Sequence, residues 1–116
     1  MSDAEFLLRA DTCLETVAAW LEPFDPDEVD FALADGVLTI EFADGTRHIL
    51  NRQTAAVQMW LAAGARAWHF DWDAAASTWR EGREGRELLA TLAESVGSQV
   101  GRSLDPPLAG GPANGS

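Results

Sequence analysis

Between Asp3 and Phe24 apolar residues recur every three to four positions. At the helical rotation of about 100° per residue, Phe6, Ala10, Cys13, Leu14, Val17, Trp20, Leu21 and Phe24 fall within an arc of roughly 120°. This spacing predicts a helix over 3–24 with one core-facing stripe, ended by Pro23 and Pro26, which lack a backbone N–H. Asp11, Glu15 and Glu22 share a separate stripe that Ala18 interrupts. From Val29 the period changes to two, the signature of strands. Val29, Phe31 and Leu33 alternate with smaller or polar residues up to Gly36, and Leu38, Ile40 and Phe42 follow. Asp44-Gly45 is a hairpin signal before a return strand from Thr46 to Asn51. A glycine bulge at Gly45 is preferred over a two-residue turn, because it buries Leu50 and frees Asn51. Further strands are read over 57–62, 67–72 and 77–81, and a second helix from about Arg86 to Val100 buries Leu88, Leu89, Leu92 and Val96.

Each helix has a single apolar stripe, so both must cover the same sheet face. The predicted fold is therefore α+β, a two-layer α/β sandwich with two terminal helices on one face of a five- to six-stranded antiparallel sheet. Residues 1–102 form one domain. Residues 103–116, rich in Pro, Gly and small side chains, read as a disordered tail.

On the open face, Asn51, Gln53, Gln58 and Trp60 stand apart. Val57, Met59 and Leu61 alternate toward the core, which leaves Trp60 and Gln58 on the opposite side. A tryptophan among carboxamides suits protein contact, since it offers large rigid area with a polar rim; packing beneath a loop or second helix is the other reading. Trp68, Phe70 and Trp72 are expected to face the core, with His69 and Asp71 toward solvent.

Charge narrows the partners. Nineteen acids against eight bases give a net charge of −11, and all eight bases are arginine. Nucleic acid and anionic lipid both require a basic footprint and are poor partners. The single cysteine excludes an intrachain disulfide and fits a reducing cytoplasm. No signal sequence, membrane span or internal repeat is read.

Asp25, Asp27, Glu28 and Asp30 lie just beyond the first helix's C-terminus, where the helix dipole is also negative. Their mutual repulsion would be relieved by a hard cation held through oxygen ligands. A solvated acidic face that maintains solubility is the competing reading.

Enzyme chemistry has no candidate residues: the sequence has no phosphate-cradling glycine loop, metalloprotease histidine pair or CxxC. His48 opposite Glu41 reads as a cross-strand surface pair rather than a dyad. Cys13, on the apolar helix stripe, reads as a small packed hydrophobe.

Four segments following an acidic helix, Gly36-Val37-Leu38-Thr39-Ile40, Asn51-Arg52-Gln53, Gln58-Met59-Trp60-Leu61 and Trp68-His69-Phe70-Asp71, strongly resemble the frataxin family in its bacterial, CyaY-like form. The likeness runs from Ser2 to about Val100. It implies a non-enzymatic protein that binds Fe²⁺ and Fe³⁺ weakly at an acidic ridge. It also implies docking on the cysteine desulfurase and scaffold of iron–sulfur cluster assembly, to regulate assembly or to supply iron. An iron-independent acidic regulator of the desulfurase is the alternative. Carried over by position, the ridge comprises Asp3, Asp11, Glu22, Asp25, Asp27, Glu28 and Asp30, and Glu15 adds an acid on the same stripe. Trp60, with Asn51, Gln53, Gln58 and His69, forms the expected partner contact, in a cytoplasmic protein that is monomeric without metal.

The sequence departs from the family pattern where adjacent helix acids give way to Ala18 and Ala19, where Pro23 replaces an acid, and where Leu7 and Val57 replace histidines. These departures move the expected metal site toward Asp25, Asp27, Glu28 and Asp30. A ferroxidase is disfavoured, because a usual di-iron centre needs Glu-x-x-His motifs that are absent here.

Overall fold

Helix α1 spans Asp3–Leu21 and begins at Ser2, whose hydroxyl accepts a hydrogen bond from the Glu5 N–H at 3.1 Å. Asp3 and Glu5 in its first turn complement the positive end of the helix dipole. The helix ends three residues before the expected Phe24, because Pro23 has no N–H to offer the Ala19 carbonyl and Glu22 already caps the last turn. Phe6, Ala10, Cys13, Leu14, Val17 and Leu21 are buried as read, whereas Trp20 and Phe24 pack partly buried at the margin. The computed structural model describes residues 1–108 of the chain.

Six strands follow: β1 Val29–Ala34, β2 Val37–Phe42, β3 Arg47–Gln53, β4 Gln58–Ala63, β5 Arg66–Asp73 and β6 Thr78–Glu81. They form an antiparallel meander in chain order. Helix α2, Leu88–Val100, starts at Glu87, whose carboxylate accepts from the Leu89 and Ala90 N–H groups. The core lies between the two helices and one sheet face. Leu38, Ile40, Leu50, Met59, Leu61 and Phe70 meet Phe6, Leu14, Val17, Leu88, Leu92 and Val96 there. Among the described residues no helix is long and apolar enough to cross a membrane.

The β2–β3 connection carries the expected bulge. Gly45, at φ +88°, closes a turn in which its N–H donates to Phe42. Leu38 consequently pairs with Leu50, and Val37 with Asn51. The same register overturns the surface pairing of His48 with Glu41. His48 sits opposite Ile40, buried against the Phe42 ring at 4.7 Å, while Arg47 faces Glu41. Val57 is also corrected. A 3₁₀ turn, Thr54–Ala56, ends on Val57 in the left-handed region at φ +55°, so this residue lies outside β4 and is 39% exposed. Trp68 and Trp72 flank the fully buried Phe70 only partly buried.

Cys13 is packed as read; burial, reinforced by the charge of Glu87, pushes its thiol up to about 12. Past α2, Gly101 adopts the left-handed conformation and the chain turns back. Part of the expected tail, 103–108, has no regular secondary structure but lies against the helices. The Trp20 indole N–H donates to the Asp105 carbonyl at 2.9 Å, Leu104 is partly buried and Pro107 is buried. The remainder of the expected tail, 109–116, lies outside the described residues.

Two outcomes follow from this packing. Deleting the chain from Ser103 onward uncovers Trp20 and the helix seam, and denaturant unfolding should report a loss of about 1–3 kcal/mol. Burial lowers the His48 pKa below its ordinary 6.5. The unfolded chain therefore takes up a proton before the native protein does, and stability declines as pH falls from about 6.5 through the lower native value. Urea midpoints compared between about pH 7.5 and 5.5 should show this decline, and His48→Gln should flatten it.

Candidate functional site

Two surfaces gather the residues singled out in the sequence. The first is the sheet face that neither helix covers. Cross-strand register places Asn51 of β3, Trp60 of β4 and His69 of β5 in one line, with Gln53 paired to Gln58 beside it. All five expected contact residues are thus brought together. Trp60 and His69 stack face to face, their ring centroids 4.1 Å apart and their planes at 10°. The indole N–H of Trp60 donates to Gln58 Oε1 at 2.8 Å, and Gln58 Nε2 in turn donates to Asp71 Oδ1 at 3.1 Å. The tryptophan therefore has a fixed orientation while one ring face remains available, and little side-chain entropy remains to be lost on contact.

Pattern reading did not include three neighbours of this patch. Asp71 anchors the Gln58 amide, and its signal was available in its shared parity with His69. Val37 and Ile49, 38% and 39% exposed, extend the same face as an apolar strip beside Asn51. Their signal was two large aliphatic residues on the parity opposite to Leu38 and Leu50.

The second surface is acidic and much looser. Asp3 and Glu15 stand exposed along α1, and Glu22 is exposed at its C-cap. Asp25, Asp27 and Glu28 lie in the turns after it, and Asp30 is on β1, the sheet's edge strand. Several of these carboxylates already have partners. Asp25 accepts from the Asp27 N–H and Asp30 from the Phe31 N–H, each at 2.9 Å. Glu28 receives both terminal nitrogens of Arg102, at 2.7 and 3.1 Å, and this hydrogen bonding holds its carboxyl below the usual glutamate range. Asp11 is bonded by Arg52 of the Asn-Arg-Gln segment. Among the described residues no three His, Cys, Asp or Glu side chains converge to hold a metal ion.

A two-layer α/β sandwich whose uncovered sheet face carries a stacked aromatic platform, beside an edge rich in carboxylates, is the class of fold these elements define. The comparisons give that class its family. Residues 1–102 match the model of the frataxin-like domain. The chain is 42% identical to an iron-sulfur cluster assembly protein CyaY of Dechloromonas aromatica, over 90% of this chain and 97% of the relative. Its identity to the protein of the same name from Thioalkalivibrio sulfidiphilus is 39%, over 90% and 98%. Among solved structures it resembles the frataxin of Psychromonas ingrahamii, with a TM-score of 0.80 and 30% identity over 90% of this chain and 97% of that one. A trimeric frataxin from the yeast Saccharomyces cerevisiae, complexed with ferrous iron, matches with a TM-score of 0.62 and 28% identity over 88% of each chain. The chain belongs to the frataxin family, whose members are non-enzymatic assembly proteins.

Proposed function

We propose that this protein serves iron–sulfur cluster assembly as an adaptor, docking its open sheet face on the cysteine desulfurase and scaffold while its acidic edge holds iron weakly. The observation that carries this reading is the Trp60–His69 stack, braced by Gln58 and left uncovered by both helices. Buried aromatic anchors with polar rims carry most of the energy at protein contacts, and Asn51, Gln53 and Gln58 supply the rim. The net charge of −11 steers the module toward a basic partner and governs its rate of encounter.

Iron, as cargo, suits the acidic edge on chemical grounds. Carboxylate oxygens are hard ligands that accept Fe²⁺ and Fe³⁺. Asp25, Asp27 and Asp30 are exposed, and α1 carries no basic residue in its last turn to offset the negative end of its dipole. Glu22, Glu28, Glu15 and Asp3 add to the field, with Asp11 further along the helix. Because the carboxylates do not converge, a bound ion keeps several waters and leaves readily, as a donor requires. The arginine partners of Glu28 and Asp11 favour a second reading, in which the acids act on the desulfurase without iron.

Anaerobic Fe²⁺ titration followed by amide NMR should perturb residues 25–30 first; an unaltered stretch from Asp11 to Asp30 would remove iron from the mechanism. Trp60→Ala should weaken desulfurase binding by about 2 kcal/mol or more, expressed as faster dissociation with little change in thermal stability. Biolayer interferometry at rising salt checks both terms, because association should slow with ionic strength while the tryptophan effect persists. Unchanged dissociation in the variant would take Trp60 out of the interface.

A further inference from the structure

Arg52 has a position unlike its neighbours. Along β3 the period of two sends Asn51 and Gln53 to the open face and Arg52 to the helix side, opposite the buried Met59. From there its side chain crosses Gly36, which lies in the β1–β2 turn at φ +78°. A Cβ at Gly36 would stand 2.6 Å from the Arg52 Nε, so only glycine leaves this path open. The guanidinium ends on the Asp11 carboxylate, at the mouth of a small cleft also lined by Glu15 and Asp35. The Arg52 side chain is only 27% exposed.

We propose that Arg52 is a resident counter-ion of the helix edge, which withdraws Asp11 from cation binding, as Arg102 withdraws Glu28, and leaves a metal cargo to Asp25, Asp27 and Asp30. The inference rests on the acidic-edge reading above and makes it more specific. The guanidinium paired with Asp11, in a cleft that Glu15 and Asp35 also line, shows that the Asp11 carboxylate already holds a cation in this structure, and that the cation is covalently part of the chain. A divalent ion approaching Asp11 must displace an intramolecular competitor at high effective concentration, and it meets like-charge repulsion until it does. The loop acids Asp25, Asp27 and Asp30 have no arginine partner among the described residues, so no such competitor opposes an ion there. Arg52 is thus a specificity-determining residue, selecting which carboxylates take metal.

The test is anaerobic Fe²⁺ titration of the full chain and of Arg52→Gln and Arg52→Lys, with midpoints taken residue by residue from amide NMR. In the unaltered protein, residues 25–30 should respond at lower Fe²⁺ than Asp11, Glu15 and Asp35. In Arg52→Gln the latter three should bind about three- to tenfold more tightly at low salt, while the loop midpoints stay fixed. Arg52→Lys retains the charge and should behave largely as the parent. Equal midpoints at both places in the parent, or no gain in Arg52→Gln, would overturn the counter-ion role while leaving the acidic edge standing. No response anywhere from Asp11 to Asp35 in any of the three would overturn the edge reading and this proposal with it. Overlay of the unliganded spectra away from residues 11, 36 and 52 establishes that the variants keep the fold.

Discussion

Each helix in this protein can bury only one stripe, and both stripes are spent on the same side of the sheet. Phe6, Leu14, Val17 and Leu21 of α1, with Leu88, Leu92 and Val96 of α2, consume the apolar face of β2 to β5. Nothing of comparable hydrophobicity remains in the described chain to cover the other face. The sheet therefore presents an uncovered outer surface, and the side chains on it are not constrained by packing against a helix. The Trp60 platform exists because the helices are committed elsewhere.

A six-stranded meander with one bare face has a hazard in its edge strands, whose unpaired backbone groups invite further strands. Here the edges are blunted by side chains and turns. On β1 the Asp30 carboxylate takes the Phe31 N–H, and on β6 the chain folds back so that Arg80 bridges to Glu87. An acid that is a metal candidate on charge grounds thus also shields backbone. An acid at this edge can serve the fold, and clustered acids alone do not define a binding site.

What could be read from the sequence divides along physical lines. The core, the glycine bulge at Gly45 and the grouping of Asn51, Gln53, Gln58, Trp60 and His69 follow from local periodicity, because a strand with one buried face fixes the parity of every residue in it. Val57 escaped that logic because the 3₁₀ turn before it forces a positive φ that no two-residue pattern signals. The partners of the acids escaped for a different reason. Arg52 lies 41 residues from Asp11, Arg102 lies 74 from Glu28, and Asp105 lies 85 from Trp20. Long side chains reaching across the finished fold leave no local trace, so the acidic stripe looked more uniform in the sequence than it is in space.

The Asn-Arg-Gln segment shows how the two surfaces are joined. Three consecutive residues of one strand must alternate, so a motif that places two carboxamides beside Trp60 necessarily points its middle residue at the helices. An apolar residue there would face the open cleft by Gly36 and leave Asp11 without its partner, whereas an arginine has the reach to cross the glycine and meet the carboxylate. The Trp60 platform and the acidic edge are consequently not independent. Any displacement of β3 at Asn51 and Gln53 moves the guanidinium beside Asp11, because the three residues are consecutive in one strand.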